Sequence, residues 1–187
     1  MNVKFLFIIL FSFIATSFGV QAQETVDQQV QMTVTQNNNV NTAISEGKYY
    51  LHRLTINANS DKVWGNISKY QENVNFYFDM RGGMAILRKV IVSADVTNRQ
   101  SYSDYLFDES GNLWLSYSNY DITKPEKGSR NYYFNKQLIS AYYDEKSIEA
   151  KEFSTEDQQR GIEMMEKASA YKKAFDGLVR LQVNPSK

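Results

Sequence analysis

Between residues 76 and 143 the sequence repeats one unit three times, and this repeat constrains the fold more than any other feature. Each copy has an aromatic residue, a spacer, Phe, an Asp or Asn, a short polar or glycine-containing turn, and an apolar strand. The Phe anchors lie at Phe78, Phe107 and Phe134, which are 29 and 27 residues apart. A near-constant period of this size is typical of a repeated supersecondary unit.

Each unit is predicted to be a β-hairpin. The Asx side chain after each Phe can hydrogen-bond the turn backbone, and glycine supplies the positive φ that tight hairpin loops need. Three hairpins give six strands, and the aromatic and β-branched segment 49–56 adds another. Because short turns join antiparallel neighbours, we predict an antiparallel β-meander of about seven strands. The third copy has the shortest loop and no glycine, which makes its register the least defined.

A single amphipathic helix is predicted over residues 154–183. Its apolar stripe, spaced by three and four residues, consists of Ile162, Met165, Ala168, Tyr171, Phe175, Leu178 and Leu181. Ser154 and Asp157 have the spacing of a capping box, and Asn184-Pro185 ends the helix. Since such a stripe must pack on something, we predict an α+β fold in which this helix covers one face of the sheet.

The first 22 residues have the layout of a secretory signal peptide. A short basic region, 1–4, precedes an uncharged stretch, 5–20, and Val20-Gln21-Ala22 provides a cleavage site with compact residues. A retained anchor is the alternative, but 16 residues of helix span only about 24 Å of a hydrocarbon core of about 30 Å. We therefore expect an exported protein, periplasmic or secreted, with no integral membrane span after cleavage.

Residues 23–47 form a polar, Gln- and Asn-rich lead-in to a single domain over 48–187. We predict a flexible segment here, with a short edge strand through Val30, Met32 and Val34 as the alternative, since these three alternate with polar residues.

Composition excludes several kinds of chemistry. The chain has no cysteine and one histidine, His52, which rules out thiol chemistry, Cys-based zinc sites and sites that need two imidazoles. Its 21 basic and 21 acidic residues balance, so nothing in the net charge favours nucleic acid as a partner. The sequence contains no phosphate-binding loop or dinucleotide fingerprint. We expect no metal and no cofactor.

The candidate binding residues are aromatic. Twelve of the 13 tyrosines and both tryptophans lie between residues 49 and 143. Tyrosine combines an apolar ring with a hydrogen-bonding tip, which suits contact with sugars and peptides, although it is also simply a good strand residue. The predicted ligand-binding residues are Tyr117, Tyr120, Tyr133, Tyr143 and Trp114.

The sequence therefore favours a non-catalytic binding protein that recognises an envelope or extracellular protein or glycan through an aromatic sheet face or edge. One alternative is a polysaccharide hydrolase, with two carboxylates drawn from Asp104, Asp108, Glu109 and Asp144. Asp108 and Glu109 are already explained as turn residues, and no catalytic residue is assigned. A structural subunit of an envelope assembly is the other alternative. His52 is expected to be a strand residue satisfied by a neighbour rather than a general base.

Overall fold

A computed structural model describes residues 25–57, 63–64, 67–96, 99–124, 127–143 and 146–183. The elements in chain order are α1 (Val26–Ser45), β1 (Tyr50–Ile56), β2 (Val63–Trp64), β3 (Ile67–Arg81), β4 (Met84–Val96), β5 (Arg99–Phe107), β6 (Leu113–Asn119), β7 (Ser129–Phe134), β8 (Gln137–Tyr143), β9 (Lys146–Glu149), a 3-10 turn (Ala150–Glu152) and α2 (Thr155–Val183). The predicted signal peptide, 1–22, lies outside the described residues. Neither described helix is long and apolar enough to cross a membrane.

The strands form an antiparallel meander. Their order across the sheet is β1-β3-β4-β5-β6-β7-β8-β9, and β2 pairs with the part of β3 that β1 leaves free. With α2 packed on one face, this confirms the predicted α+β fold.

All three predicted hairpins are present. Gly82 and Gly83 have φ of 57° and 80°, and Asn135 and Lys136 have φ of 49° and 63°. Positive φ at both central residues is the mark of the type I′ turn, whose twist matches that of the strands it joins. The third hairpin thus makes the same turn as the first without glycine, because asparagine tolerates the left-handed region. The second hairpin has a longer loop, 108–112, closed by a hydrogen bond of 2.7 Å from the Asn112 N–H to Asp108 Oδ1.

Each hairpin carries a one-residue bulge at the same place in its second strand. In every copy the extra residue directly follows a leucine that pairs with an aromatic residue on the first strand. The aromatic–leucine pairs are Phe78–Leu87, Phe107–Leu113 and Tyr133–Leu138, and the extra residues are Arg88, Trp114 and Ile139. A bulge bends its strand and increases the local twist, so the repeat is structural as well as sequential.

The bulges correct the alignment of the third copy. Phe134 was the predicted anchor, but Tyr133 occupies the position equivalent to Phe78 and Phe107. All three of these residues are buried, with 6%, 2% and 1% exposure for Phe78, Phe107 and Tyr133. The prediction was wrong because one residue pair separates Tyr133–Leu138 from its two-residue turn, whereas three pairs separate Phe78–Leu87 from a turn of the same length.

The larger core lies between the sheet and α2. Its most buried side chains include Phe76, Val90 and Phe175. The predicted stripe needs one correction: Ile162 is 44% exposed, whereas Met164 is 6% exposed and lies in the core. The side chain of Leu181 lies outside the described residues.

The predicted capping box at the start of α2 is present. The Ser154 N–H donates to Asp157 Oδ2 at 2.9 Å, and the Asp157 N–H donates to Ser154 Oγ at 3.1 Å. This reciprocal pair satisfies two of the backbone donors that a helix leaves free at its N-terminus.

Residues 26–45 are helical, which corrects the prediction of a flexible segment or an edge strand. The Gln28 N–H donates to Thr25 Oγ1 and the Thr25 N–H donates to Gln28 Oε1, so a capping box starts α1 as well. Val40 is buried against Leu106, Leu115 and Tyr132, on the sheet face opposite α2. The sheet is therefore covered by one helix on each face, although α1 leaves part of its face open.

Candidate functional site

A cleft of about 300 Å³ opens between the N-terminal half of α2 and one end of β6, β7 and β8. The residues around it share no single chemistry, and they divide into a hydrogen-bonded floor, aromatic walls and a charged rim.

The floor of the cleft is a polar network on neighbouring strands. Ser118 and Ser129 face each other across β6 and β7, with their hydroxyl oxygens 2.8 Å apart. Two residue pairs further along the same strands, Asn131 donates to Ser116 at 3.3 Å. Asn131 also accepts a hydrogen bond of 2.7 Å from the Tyr143 hydroxyl. Ser118 and Asn131 are only 2% and 1% exposed. Burying polar groups is costly unless they are paired, and here they pair with one another.

Tyr143 and Tyr120 form the walls. The guanidinium of Arg160 lies 5.2 Å from the centre of the Tyr143 ring, and the ammonium of Lys167 lies 6.0 Å from that of Tyr120. Burial raises the pKa of Tyr143, and the charge of Asp157 raises it further, against the opposing charge of Arg160. Tyr120 is 62% exposed, which leaves most of its ring available to a ligand.

The rim carries charges of both signs. Lys127, Arg160 and Glu163 lie around the opening. Arg160 also pairs with Glu156 one helical turn away, and this hydrogen bond is the main cause of the raised pKa of Arg160.

Of the five predicted binding residues, the structure brings Tyr120 and Tyr143 together and separates the other three. Tyr133 lies in the core, where its hydroxyl donates a hydrogen bond of 3.1 Å to the Gly161 carbonyl. Trp114 packs on the other face, in the cluster beneath α1. Tyr117 is on that face too. Successive side chains of a strand point to opposite faces of the sheet, and a bulge shifts this alternation. The five residues therefore do not form a single patch, although several of them lie close together in sequence.

Sequence reasoning missed the polar floor of the cleft. A signal was available, because Ser116 and Ser118 alternate on β6 while Ser129 and Asn131 alternate on β7. Small polar residues repeated on the inward face of adjacent strands are unusual in a core and indicate a buried network.

Tyr117 belongs to an aromatic row on the face opposite the cleft. Arg130 lies between two rings, with its guanidinium 5.7 Å from the centre of Tyr117 and 5.9 Å from that of Tyr142. Tyr102 continues the row at 6.0 Å from Tyr117. This Tyr–Arg row, defined by Tyr102, Tyr117, Arg130 and Tyr142, crosses β5 to β8.

The carboxylates named for a hydrolase do not converge. Asp104 pairs with Lys89 at 3.2 Å, Asp108 closes its own loop, and Glu109 pairs with Arg81 at 2.9 Å. Asp144 lies outside the described residues. Around the cleft, Glu163 is the one acidic side chain among the described lining residues.

His52 is a strand residue on β1. Its ring stacks on Phe78 at 5.0 Å and approaches Phe175 at 6.5 Å. Within the described part of the chain its Nε2 atom is buried without a hydrogen-bond partner, and these two aromatic rings pack against the imidazole.

Within the described ranges, no group of three or more His, Cys, Asp or Glu side chains is placed to hold a metal ion. No protein-family model, curated protein sequence or solved structure matches the chain.

Proposed function

We propose that this is an exported, non-catalytic binding protein that recognises a glycan in the cleft beside α2. One observation carries the proposal: two tyrosine rings, Tyr120 and Tyr143, flank a floor of hydrogen-bonded serine and asparagine side chains.

This combination matches the surface of a sugar. A sugar ring has weakly polar faces that pack on aromatic rings and a rim of hydroxyl groups that both donate and accept hydrogen bonds. The hydroxyl of Ser129, which is only partly buried at the floor of the cleft, also does both. The volume of about 300 Å³ falls at the small end of ligand-binding clefts, which suits one sugar unit of a longer chain.

Export rests on the sequence of residues 1–22, whose basic start, uncharged stretch and cleavage site have the order of a signal peptide. The proposed location is the periplasm or the extracellular space, where glycans of the envelope are within reach. Mass spectrometry of the native protein tests this part, because cleavage after Ala22 leaves Gln23 at the N-terminus.

The glycan proposal is tested by titrating a panel of envelope oligosaccharides into the purified protein and measuring heat. Replacing Tyr120 by alanine removes an exposed wall without opening the core, and we expect at least a tenfold loss of affinity. Tyr50→Ala is the matched control, since Tyr50 is 58% exposed on the distant strand β1. Binding that survives Tyr120→Ala combined with Arg160→Gln would rule out the cleft.

A second candidate is recognition of a protein partner through the Tyr–Arg row. Tyrosine and arginine dominate the residues that carry affinity in protein interfaces, and the two rings hold Arg130 in one orientation. In a pull-down from native envelopes, Arg130→Ala should reduce capture of a partner while leaving oligosaccharide binding unchanged. If Arg130→Ala lowers both equally, the two surfaces act as one site.

A further inference from the structure

The bulge of β4 buries a charge where the other two hairpins place a partly buried apolar side chain. Arg88 is the extra residue of the first hairpin, and the equivalent residues are Trp114 and Ile139. Both equivalents pack in the cluster beneath α1. The hairpin framework therefore does not require an arginine at this position, and a residue that breaks the pattern of its repeat indicates a role beyond folding.

The surroundings of Arg88 leave its guanidinium poorly satisfied. Its side chain is 4% exposed, and among the described residues its Nε and Nη1 atoms are buried without a hydrogen bond. Glu109 Oε1 lies 3.2 Å from Nη1, but outside hydrogen-bonding geometry. Removing a guanidinium from water is costly unless it is paired and well hydrogen-bonded. The pairing with Glu109 is therefore a poor fit for a buried arginine.

A second arginine faces the same carboxylate. Arg81 Nη1 lies 2.9 Å from the same Oε1 atom of Glu109, while Arg81 Nε donates to Asp79 at 2.9 Å. Glu109 itself is 59% exposed and sits on the loop of the second hairpin. One exposed carboxylate thus bridges two guanidinium groups that come from a different hairpin.

We infer that Arg81 and Arg88 form a carboxylate-binding site, which Glu109 occupies when no ligand is present. A guanidinium presents its donors as a planar fork that matches a carboxylate, and two such groups bind one with better geometry than the contact to Glu109. A ligand carboxylate displaces the Glu109 side chain, which swings into water at little cost because it is already largely exposed. This site is independent of the proposed glycan cleft.

The test uses succinate as the probe and succinamide as its neutral equivalent. Titrated into the Glu109→Gln variant, succinate should bind at least tenfold more tightly than to the wild-type protein, because the internal competitor is gone. Adding Arg81→Gln should abolish the gain. Glu149→Gln is the matched control, since it removes an equally exposed carboxylate that pairs with Lys151 elsewhere, and it should behave like the wild type.

Several outcomes overturn the inference. Equal affinity of succinate for the wild type and Glu109→Gln would show that Glu109 does not occupy the site, and equal binding of succinamide would show that charge is not recognised. Inorganic phosphate binding as tightly as succinate would overturn the carboxylate assignment. If circular dichroism shows that the Glu109→Gln variant is unfolded, the Nε–Hε resonance of Arg88 is measured in the wild-type protein instead. This resonance should shift with succinate and stay unchanged with succinamide.

Discussion

The ammonium group of Lys89, on β4, donates a hydrogen bond of 2.7 Å to the side-chain oxygen of Asn41, on α1. Lys89 is 1% exposed, and its ammonium also reaches Asn37 Oδ1 at 2.9 Å and Asp104 Oδ2 at 3.2 Å. Three donors thus meet three acceptors, two of which come from the helix. This lysine accounts for two of the four asparagines of α1, since Asn37 and Asn41 lie one helical turn apart and reach the same ammonium group.

Replacing Asn41 by alanine should lower the free energy of unfolding by about 1–3 kcal/mol, because one donor of a buried ammonium loses its acceptor. Urea denaturation followed by circular dichroism measures the change. Asn39→Ala is the control on the same helix: both asparagines are exposed, but only Asn41 of the two accepts from Lys89, and alanine is the better helix former, so stability should stay level or rise by about 0.5 kcal/mol. Equal effects of the two variants would contradict the role of Asn41.

The Lys89→Met substitution should lower the free energy of unfolding by more, about 3–5 kcal/mol, because the carboxylate of Asp104 then stays buried without its counter-charge. Asp104 Oδ1 is already buried without a hydrogen bond within the described residues. Adding Asp104→Leu should therefore recover part of the loss, and the double-mutant cycle gives the coupling energy. Lys173→Met, an exposed position on α2, should leave the unfolding midpoint unchanged.

The contrast between the hairpins and α1 shows what the sequence can predict here. A hairpin depends on its own turn residues, so the turns at Gly82-Gly83 and at Asn135 could be predicted directly from the sequence. The position of α1 depends on Lys89, which lies 48 residues from Asn41 along the chain. Its apolar residues Val30, Val34, Val40 and Ile44 recur at helical spacing, and Thr25 with Gln28 forms a capping box, but the polar surroundings obscured both signals.

The candidate site was harder to predict than the fold. Tyr120 and Tyr143 were identified from composition, yet the floor beneath them depends on which residues pair across β6 and β7. The bulge at Trp114 sets the face to which Ser116 and Ser118 point, and their partners on β7 follow from the register of β6 and β7; the sequence marks neither. The burial of Arg88 likewise depends on a bulge, in β4, that the sequence does not mark.

Stability should fall at alkaline pH through the tyrosines around Glu72. The hydroxyl of Tyr171 donates to Glu72 Oε1 at 3.1 Å, and that of Tyr70 donates to Glu72 Oε2. Burial, and then the Glu72 carboxylate, raise the pKa of both tyrosines well above the ordinary value of 10.0. Above that pH the unfolded chain loses tyrosine protons that the folded protein keeps, so the stabilising contribution is complete below pH 10 and decreases as the pH rises.

Tyr171→Phe removes one of these groups, so its loss of stability between pH 10 and 11.5 should be shallower than that of the wild type. The difference in slope should approach about 1.4 kcal/mol per pH unit, the value for one proton. Guanidinium denaturation at a series of pH values measures both slopes. Parallel slopes for the two proteins would contradict the assignment to Tyr171.

Two glycines on α2 should respond in opposite ways to alanine. A Cβ atom at Gly161 would lie 2.8 Å from Leu138 Cδ2, whereas at Gly177 it would meet nothing within 4 Å. The approach at Gly161 brings its carbonyl to the Tyr133 hydroxyl, so the small residue sets the distance between α2 and the sheet. Alanine in a helix interior gains about 0.5–1 kcal/mol over glycine, while overpacking a core costs about 1–3 kcal/mol. Gly177→Ala should therefore raise the free energy of unfolding and Gly161→Ala should lower it. Denaturation of the two variants against the wild type checks both signs, and an equal gain at both positions would show that α2 can move away from β8 without cost.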